Sequence, residues 1–294
     1  MLEIRRNHYL TRLRQFLHAP VITAVVGLRR VGKSVLLRQL AETLREDRQV
    51  VYIDKESLEF EEIRSARNVV DLIESTTRHA EQRVVIIDEV QQIEEWERAV
   101  ASLNGQEHTQ VVISGSNASM LSGELASRIA GRYLMLQVFP LTLQEFGDLY
   151  TRRGDTSLNE HALFRLYLRL GGFPGLLHTD LSDVVVNQML ADIFTTIALR
   201  DIIRRHRIRD VSLLEAVSRF VMDNVGSLVS AKRITDFLKN QRRSASVDTV
   251  LSYLAYRYRG VCRHAGDRFR SRKPIRTQVP PGCLPAGVPV DHRA

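Results

Sequence analysis

The sequence predicts an α/β protein, with a parallel sheet in its N-terminal half and an all-helical region after it. Three observations carry that expectation. Short apolar runs at 21–26, 50–53, 84–87, 111–113 and 133–138 alternate with stretches of helical spacing, the pattern of strands joined by crossover helices. The first run leads directly into Gly27-Leu28-Arg29-Arg30-Val31-Gly32-Lys33-Ser34, which fits G-x-x-x-x-G-K-[ST]. Beyond about residue 150, apolar residues recur only at helical intervals.

The elements follow in order. Residues 5–17 read as an amphipathic helix, with Leu10, Leu13 and Leu17 on one face and Arg5, Arg6, Arg12 and Arg14 elsewhere. His18-Ala19-Pro20 ends it. In the loop that follows the first strand, Gly27 and Gly32 remove side-chain bulk, so that consecutive N–H groups can face phosphate. The next helix, with Val35, Leu36, Leu37, Leu40 and Leu44, adds the partial positive charge of its N-terminus. Gly27, Arg29, Arg30, Val31, Gly32, Lys33, Ser34 and Val35 are the expected nucleotide contacts. Lys33 would reach the β- and γ-phosphates, and Ser34 would give its hydroxyl to Mg²⁺.

Residues 50–53 make a second strand, and 69–79 a helix with Leu72, Ile73 and Thr76 at helical spacing. Val84-Val85-Ile86-Ile87 reads as a strand buried on both faces, ending in Asp88-Glu89. After a phosphate loop, this is a Walker B pattern. Asp88 would hold the Mg²⁺ shell, and Glu89 would orient and polarise the attacking water. Trp96, the one tryptophan, is expected in the core. The strand at 111–114 runs into Gly115-Ser116-Asn117. P-loop ATPases with the added strand carry a polar sensor of the γ-phosphate or lytic water at this position. That makes Ser116 and Asn117 the candidates, with a plain turn as the alternative. Arg128 and Arg132 are the candidate γ-phosphate cations, acting within the chain or on a neighbouring copy. Thr142 and Glu145 have the spacing of a capping box.

Leu163, Leu166, Leu168 and Leu170 lead into Gly171-Gly172-Phe173-Pro174, a break that resets direction. Helices follow at 183–205. Three more are expected over 211–256, the second N-capped by Ser230 with Ile234 and Phe237 inward, the third N-capped by Ser246. That outline fits a helix-turn-helix or winged-helix module; a helical lid or oligomerisation bundle is the alternative. After Tyr256 the character shifts. Five of the eight prolines and both cysteines, Cys262 and Cys283, lie beyond it. The expected divisions are a P-loop domain over 1–150, a helical lid over 151–210, the helix-turn-helix region over 211–256 and a disordered basic tail over 257–294. Arg257-Tyr258-Arg259 could instead serve as a nucleic-acid arm.

These residues resemble a family, the prokaryotic AAA-type P-loop ATPases with a G-x-R-R-x-G-K-[ST] loop. The matching pieces are Gly27 to Ser34, Asp88-Glu89-Val90-Gln91 with Trp96, Ser114-Gly115-Ser116-Asn117, and Gly131-Arg132. Further along come Pro140-Leu141-Thr142-Leu143-Gln144-Glu145-Phe146, Gly171-Gly172-Phe173-Pro174 and Arg200-Asp201-Ile202-Ile203. The resemblance implies a sheet of the additional-strand catalytic Glu type, in the order 5-1-4-3-2, then a helical region with a winged helix. Such proteins usually continue into a nuclease-like C-terminal domain of unknown function. Residues 257–294 look like no part of it, and a truncated or frameshifted reading frame is the expected cause.

Composition narrows the function. The net charge of +8 suggests nucleic acid, but residues 255–294 hold nine Lys/Arg against Asp267 and Asp291. That leaves 33 of the 42 basic and 32 of the 34 acidic residues for 1–254, a nearly neutral body. No apolar run approaches a membrane span and the N-terminus lacks a signal-peptide core, so the expected location is cytoplasmic. Two cysteines suggest neither a disulfide framework nor a zinc site. No N-K-x-D follows the strands, which argues against GTP. A small-molecule kinase shares the first loop, but Asp88-Glu89 fits water activation better. The expectation is therefore an ATPase using ATP and Mg²⁺ to switch or remodel a protein partner. The alternative is a nucleic-acid-binding regulator with ATP as a slow switch, contacting DNA through the helix-turn-helix region. Homo-oligomerisation would let one copy lend an arginine to the next.

Overall fold

The computed structural model describes residues 3–77, 82–116, 132–154, 158–195, 201–206, 208–224, 227–261 and 275–276. The chain divides into two compact units, Met1–Phe139 and Pro140–Ala294.

The first unit is built on five strands: β1 (Ile22–Gly27), β2 (Gln49–Asp54), β3 (Arg83–Asp88), β4 (Thr109–Ser116) and β5 (Tyr133–Val138). All pair in parallel, in the order β2-β3-β4-β1-β5. Read from the other edge this is 5-1-4-3-2, the order the resemblance implies. A parallel sheet needs a crossover between strands and is covered on both faces, which explains the apolar runs. β1 is buried along its whole length, and β3 at every residue but Arg83.

On one face, Val85, Ile87, Val111 and Ile113 share a core with Val69 and Ile73 of α3 (Ala66–Thr76) and with Trp96, Val100 and Leu103 of α4 (Trp96–Asn104). Trp96 is 5% exposed, a core residue as expected. α2 (Lys33–Leu44) buries Leu36, Leu37, Leu40, Ala41 and Leu44. α1 (Asn7–Phe16) buries Tyr9, Leu10 and Leu13 against it.

One arginine departs from the amphipathic pattern. Arg6, placed off the leucine face, is 5% exposed. Its guanidinium lies 4.4 Å from the Tyr9 ring centre and donates to the Phe139 carbonyl at 2.9 Å and, more loosely, to the Val31 carbonyl at 3.5 Å. The Phe139 N–H donates to the Tyr9 hydroxyl at 3.0 Å. Helical periodicity sorts side chains by angle alone, and Arg6 precedes the helix as its N-cap.

The second unit opens with α5 (Leu143–Thr151), where the capping box closes as expected. Thr142 N–H donates to Glu145 Oε2 at 2.9 Å, and Glu145 N–H donates to Thr142 Oγ1 at 3.2 Å. α6 (Glu160–Leu170) ends at Gly171, φ 69°. The next residue, Gly172, lies against the Leu141 backbone. Leu141 N–H donates to Gly172 O at 2.7 Å, and a Cβ on Gly172 would come within 2.4 Å of Leu141 O. The Gly-Gly-Phe-Pro break is thus a backbone docking site for the segment that starts α5.

α7 (Asp183–Ile193) and α8 (Asp201–His206) follow. The three helices expected over 211–256 are α9 (Val211–Asp223), α10 (Ala231–Asn240) and α11 (Val247–Val261). Leu214, Val217, Ile234, Leu238 and Val250 form their shared core. Ser230 Oγ accepts from Arg233 N–H at 3.2 Å, and Ser246 Oγ accepts from Thr249 N–H at 3.0 Å, the two caps read from the sequence. Phe237, expected inward, is 36% exposed and leans on Phe220, while Leu238 takes the fully buried place. Ile234 and Leu238 are four apart and define the inner stripe; Phe237 falls at its edge. α11 continues to Val261, beyond the expected boundary at 256. A short strand β6 (Leu228–Val229) pairs antiparallel with β7 (Ile275–Arg276). The rest of the expected tail lies outside the described residues. Among the described residues, no helix is long and apolar enough to cross a membrane.

The Arg6 clamp yields a stability test. Arg6→Ala withdraws a charged donor from two carbonyls and is expected to destabilise the first unit by about 2 kcal/mol. Urea unfolding of the variant against the parent chain measures it.

Candidate functional site

The site lies at the carboxyl ends of the strands, where open parallel sheets bind ligands. β1 delivers Gly27 to the start of the loop. A Cβ there would come within 2.5 Å of Val138 O and 3.3 Å of a Val31 methyl, so only glycine lets the loop pass the end of β5. Val31 is fully buried and plugs the loop from beneath. Arg30 and Gly32 both have positive φ, 65° and 92°, and Gly32 is the N-cap of α2. Those turns direct the chain into α2, whose first residue is Lys33. Ser34 and Val35 are half-buried on the first turn, Arg29 is half-buried, and Arg30 is exposed.

Lys33 is 4% exposed. Its ammonium donates to Leu28 O at 3.2 Å and stands 3.6 Å from Glu89 Oε1. Glu89 follows β3 and has φ 55°, in the left-handed region, where it caps a 3-10 turn, Val90–Gln92. Its carboxylate is held on both sides, because Gln91 Nε2 donates to Oε2. Asp88, the last residue of β3, is 1% exposed. Ser114 Oγ donates to its Oδ1, and the Tyr52 hydroxyl donates to its Oδ2 at 3.1 Å. Ser114 Oγ also accepts from Glu89 N–H at 3.1 Å, so one buried hydroxyl ties both acids to β4.

The electrostatics follow from this crowding. Burial, then the charges of Asp88 and Asp54, push the Tyr52 phenol far above its ordinary value, so it remains a donor to Asp88. The Glu56 carboxyl is raised by desolvation and then by Glu89, Asp88 and Asp54, with Arg29 opposing. Four carboxylates therefore repel one another near the mouth of a loop that carries Lys33 and Arg29. A phosphate chain with a divalent cation suits both halves of this charge pattern.

Among the described residues, no group of three or more His, Cys, Asp or Glu side chains forms a self-sufficient metal site. That is the ordinary condition for Mg²⁺ beside nucleotides, which takes one or two protein oxygens and completes its shell with phosphate and water. The buried Asp88 carboxylate and the Ser34 hydroxyl are of that kind. The glycine cradle at Gly27 and the left-handed Gly32 suit phosphate.

The structure brings together Gly27, Arg29, Arg30, Val31, Gly32, Lys33, Ser34, Val35, Asp88 and Glu89. Ser116 pairs with Gly27 in the sheet register, next to the loop. Asn117 and Arg128 lie outside the described residues. Arg132 is not brought to the site within its own chain. It is exposed, and its carbonyl accepts from Ile22 N–H at 3.0 Å, at the beginning of β1. The loop leaves the other end of that strand, about 16 Å away at the rise of a parallel strand. Sequence spacing gives Arg132 a place just before a strand, not the end of the sheet on which it falls. The sequence reading gives Tyr52 no role and Ser114 only a place in a motif. Both stand in apolar strands, and the polar interruption of an otherwise buried run was the available signal.

Residues 20–147 match a family model described as an AAA domain, and residues 161–258 match a domain of unknown function. An uncharacterized protein of Haemophilus influenzae is 35% identical over 257 residues, 85% of this chain and 63% of that protein. An uncharacterized protein of Methanocaldococcus jannaschii is 24% identical over 246 residues, 80% of this chain and 54% of that protein. The chain thus spans a little over half the length of these relatives. Among solved structures, the crystal structure of Cdc6p from Pyrobaculum aerophilum aligns with a TM-score of 0.45 at 16% identity, covering 89% of this chain and 88% of that one. Residues 20–147 thus combine a match to an AAA domain model with the sheet order and phosphate loop of a P-loop fold.

Proposed function

We propose that the protein is a Mg²⁺-dependent ATPase of the cytoplasm that uses hydrolysis to switch or remodel a partner. One observation carries the reading. The loop lysine and the acid after β3 meet, both buried, at 3.6 Å. This sets the phosphate cradle against a base that can activate water. The loop N–H groups and Lys33 would hold the phosphates, with Lys33 exchanging Glu89 for phosphate oxygens as nucleotide enters. Ser34 and Asp88 would hold Mg²⁺, which when bound neutralises charge on the phosphates. Tyr52 and Ser114 fix the rotamer of Asp88, the outer-shell role that orients metal ligands. Glu89 takes a proton from the attacking water as its oxygen adds to the γ-phosphorus, and ADP leaves. Ser116 or Asn117 would sense the γ-phosphate. Arg132 can enter a site only from a neighbouring copy.

The second reading is a nucleic-acid-binding regulator. Its support is the order helix–strand–helix–helix–strand from α9 to β7, the order of a winged helix, with Lys232, Arg233, Lys239 and Arg242 exposed around α10. Phosphate release with and without DNA separates the two readings. Appreciable basal turnover supports the enzyme; tight nucleotide retention without turnover supports the switch.

Substitutions test the chemistry. Lys33→Ala is expected to weaken ATP binding by about ten- to a hundredfold, the loss of a charge-assisted contact. Glu89→Gln should keep binding and lose turnover by about 10²- to 10⁴-fold, because an amide cannot take the proton. Wild-type turnover in Glu89→Gln would remove Glu89 from the mechanism.

Tyr52→Phe withdraws one of two donors from Asp88. The Mg²⁺ concentration for half-maximal turnover should rise about tenfold, with the rate at saturating Mg²⁺ retained. A magnesium titration of phosphate release reads it.

A site completed by a neighbour has a further signature. Turnover per chain should rise with protein concentration, and Arg132→Ala should lower turnover more than binding. Turnover per chain independent of concentration, with Arg132→Ala unaffected, rejects the shared site.

A further inference from the structure

Gln91 is a polar side chain in contact with Glu89 that phosphate and Mg²⁺ binding leave without a task. It sits in the 3-10 turn Val90–Gln92, which is anchored by the fully buried Val90. Glu89 stands at φ 55°, a region that side-chain-bearing residues occupy at a cost, and functional sites are where such strain collects. The turn sets Gln91 Nε2 on Glu89 Oε2. Chemistry dictates which end of the amide faces the acid, since a carboxylate only accepts and the nitrogen alone donates. The other end, Gln91 Oε1, is buried and has no hydrogen-bond partner among the described residues. A buried acceptor left in that condition costs about 1–3 kcal/mol.

We propose that Gln91 is a second catalytic residue, whose amide oxygen accepts a hydrogen bond from the water that Glu89 deprotonates. The proposal rests on the ATPase reading. The division of labour follows from which oxygen each neighbour holds. Gln91 occupies Glu89 Oε2, and Glu89 Oε1 faces Lys33, hence the phosphate loop. When Lys33 turns to phosphate, Gln91 keeps the carboxylate in place and Oε1 becomes the base. A water between the two side chains gives one O–H to Glu89 Oε1 and the other to Gln91 Oε1. The first proton transfers to Glu89 and the second stays on the attacking oxygen. The oxygen lone pair forms the new bond to the γ-phosphorus, and the bond to the bridging oxygen of ADP breaks. With both O–H groups assigned, the lone pair has a fixed direction, which a base alone does not supply.

The test is a double-mutant cycle on the full 294-residue chain, with turnover and equilibrium binding of a fluorescent ATP analogue measured for each variant. Gln91→Ala should lower kcat about a hundredfold, the scale of a misdirected reacting group, and leave the analogue Kd within about threefold. Gln91→Glu keeps the size of the side chain but loses the N–H donor and adds a like charge beside Glu89. It should lose kcat to a similar degree with the same unchanged Kd, which guards against a folding defect. Added to Glu89→Gln, Gln91→Ala should cost less than about threefold more, since groups that act as a unit are not additive. Retained kcat in Gln91→Ala, beside a dead Glu89→Gln, overturns the role of Gln91 and leaves the ATPase reading standing. A loss of kcat that travels with a weakened Kd and multiplies fully in the double variant also overturns it, as a structural effect. No turnover by the wild-type chain overturns both.

Discussion

A lysine at the start of α2 and a glutamate just after β3, each almost wholly out of water, face one another. Neither could be buried alone. Removing one partner of such a pair costs about 3–5 kcal/mol, because the other charge is left without water or counter-ion. Their proximity requires the ends of β1 and β3 to be level and close. The sheet order provides this, since β4 alone separates β1 from β3. Everything that fixes the heights of those strands therefore serves the pair. Val138 O presses on Gly27 from one side, and Ser114 ties β4 to Asp88 and Glu89 from the other.

The strands and the loop were legible because their signals are local. Four β-branched residues in a row can hardly be anything but a buried strand, and the glycines at 27 and 32 sit where a phosphate loop needs them. The capping pairs at Thr142 and Ser230 were legible for the same reason, since donor and acceptor are three residues apart. What could not be read depends on register between distant segments. Tyr52 and Ser114 converge on Asp88 from 36 and 26 residues away, so no window of sequence holds them together. The place of Arg132 could not be read for the complementary reason. Its motif marks the start of a strand, and only the parallel pairing of β1 with β5 shows that this start lies at the far end from the loop.

The matches between motifs acquire physical content in the second unit. Pro140-Leu141-Thr142 and Gly171-Gly172-Phe173 are 31 residues apart and look unrelated. Yet Leu141 N–H donates to Gly172 O, and the Tyr167 hydroxyl donates to Leu141 O at 2.9 Å. A side chain at 172 would strike the Leu141 backbone. The glycine pair is thus a steric demand of two backbones in contact, together with the left-handed end of α6 at Gly171. Phe237 makes the opposite point. An aromatic residue three after Ile234 looks inward by spacing, but the stripe is narrow and Leu238 already fills it.

Arg6 shows why the N-terminal helix precedes the sheet at all. One guanidinium takes a carbonyl from inside the loop, Val31, and a carbonyl just past the end of β5, Phe139. A single nitrogen, Nη1, makes both bonds, so the two carbonyls converge on one charged donor. The Tyr9 ring lies against its cationic face and accepts from Phe139 N–H through its hydroxyl, so the end of β5 is held by both its donor and its acceptor. The loop is thereby fixed by a charge beneath it as well as by the glycines within it. That charge is positive and buried beside the loop, the sign that would favour the polyanion proposed to bind there.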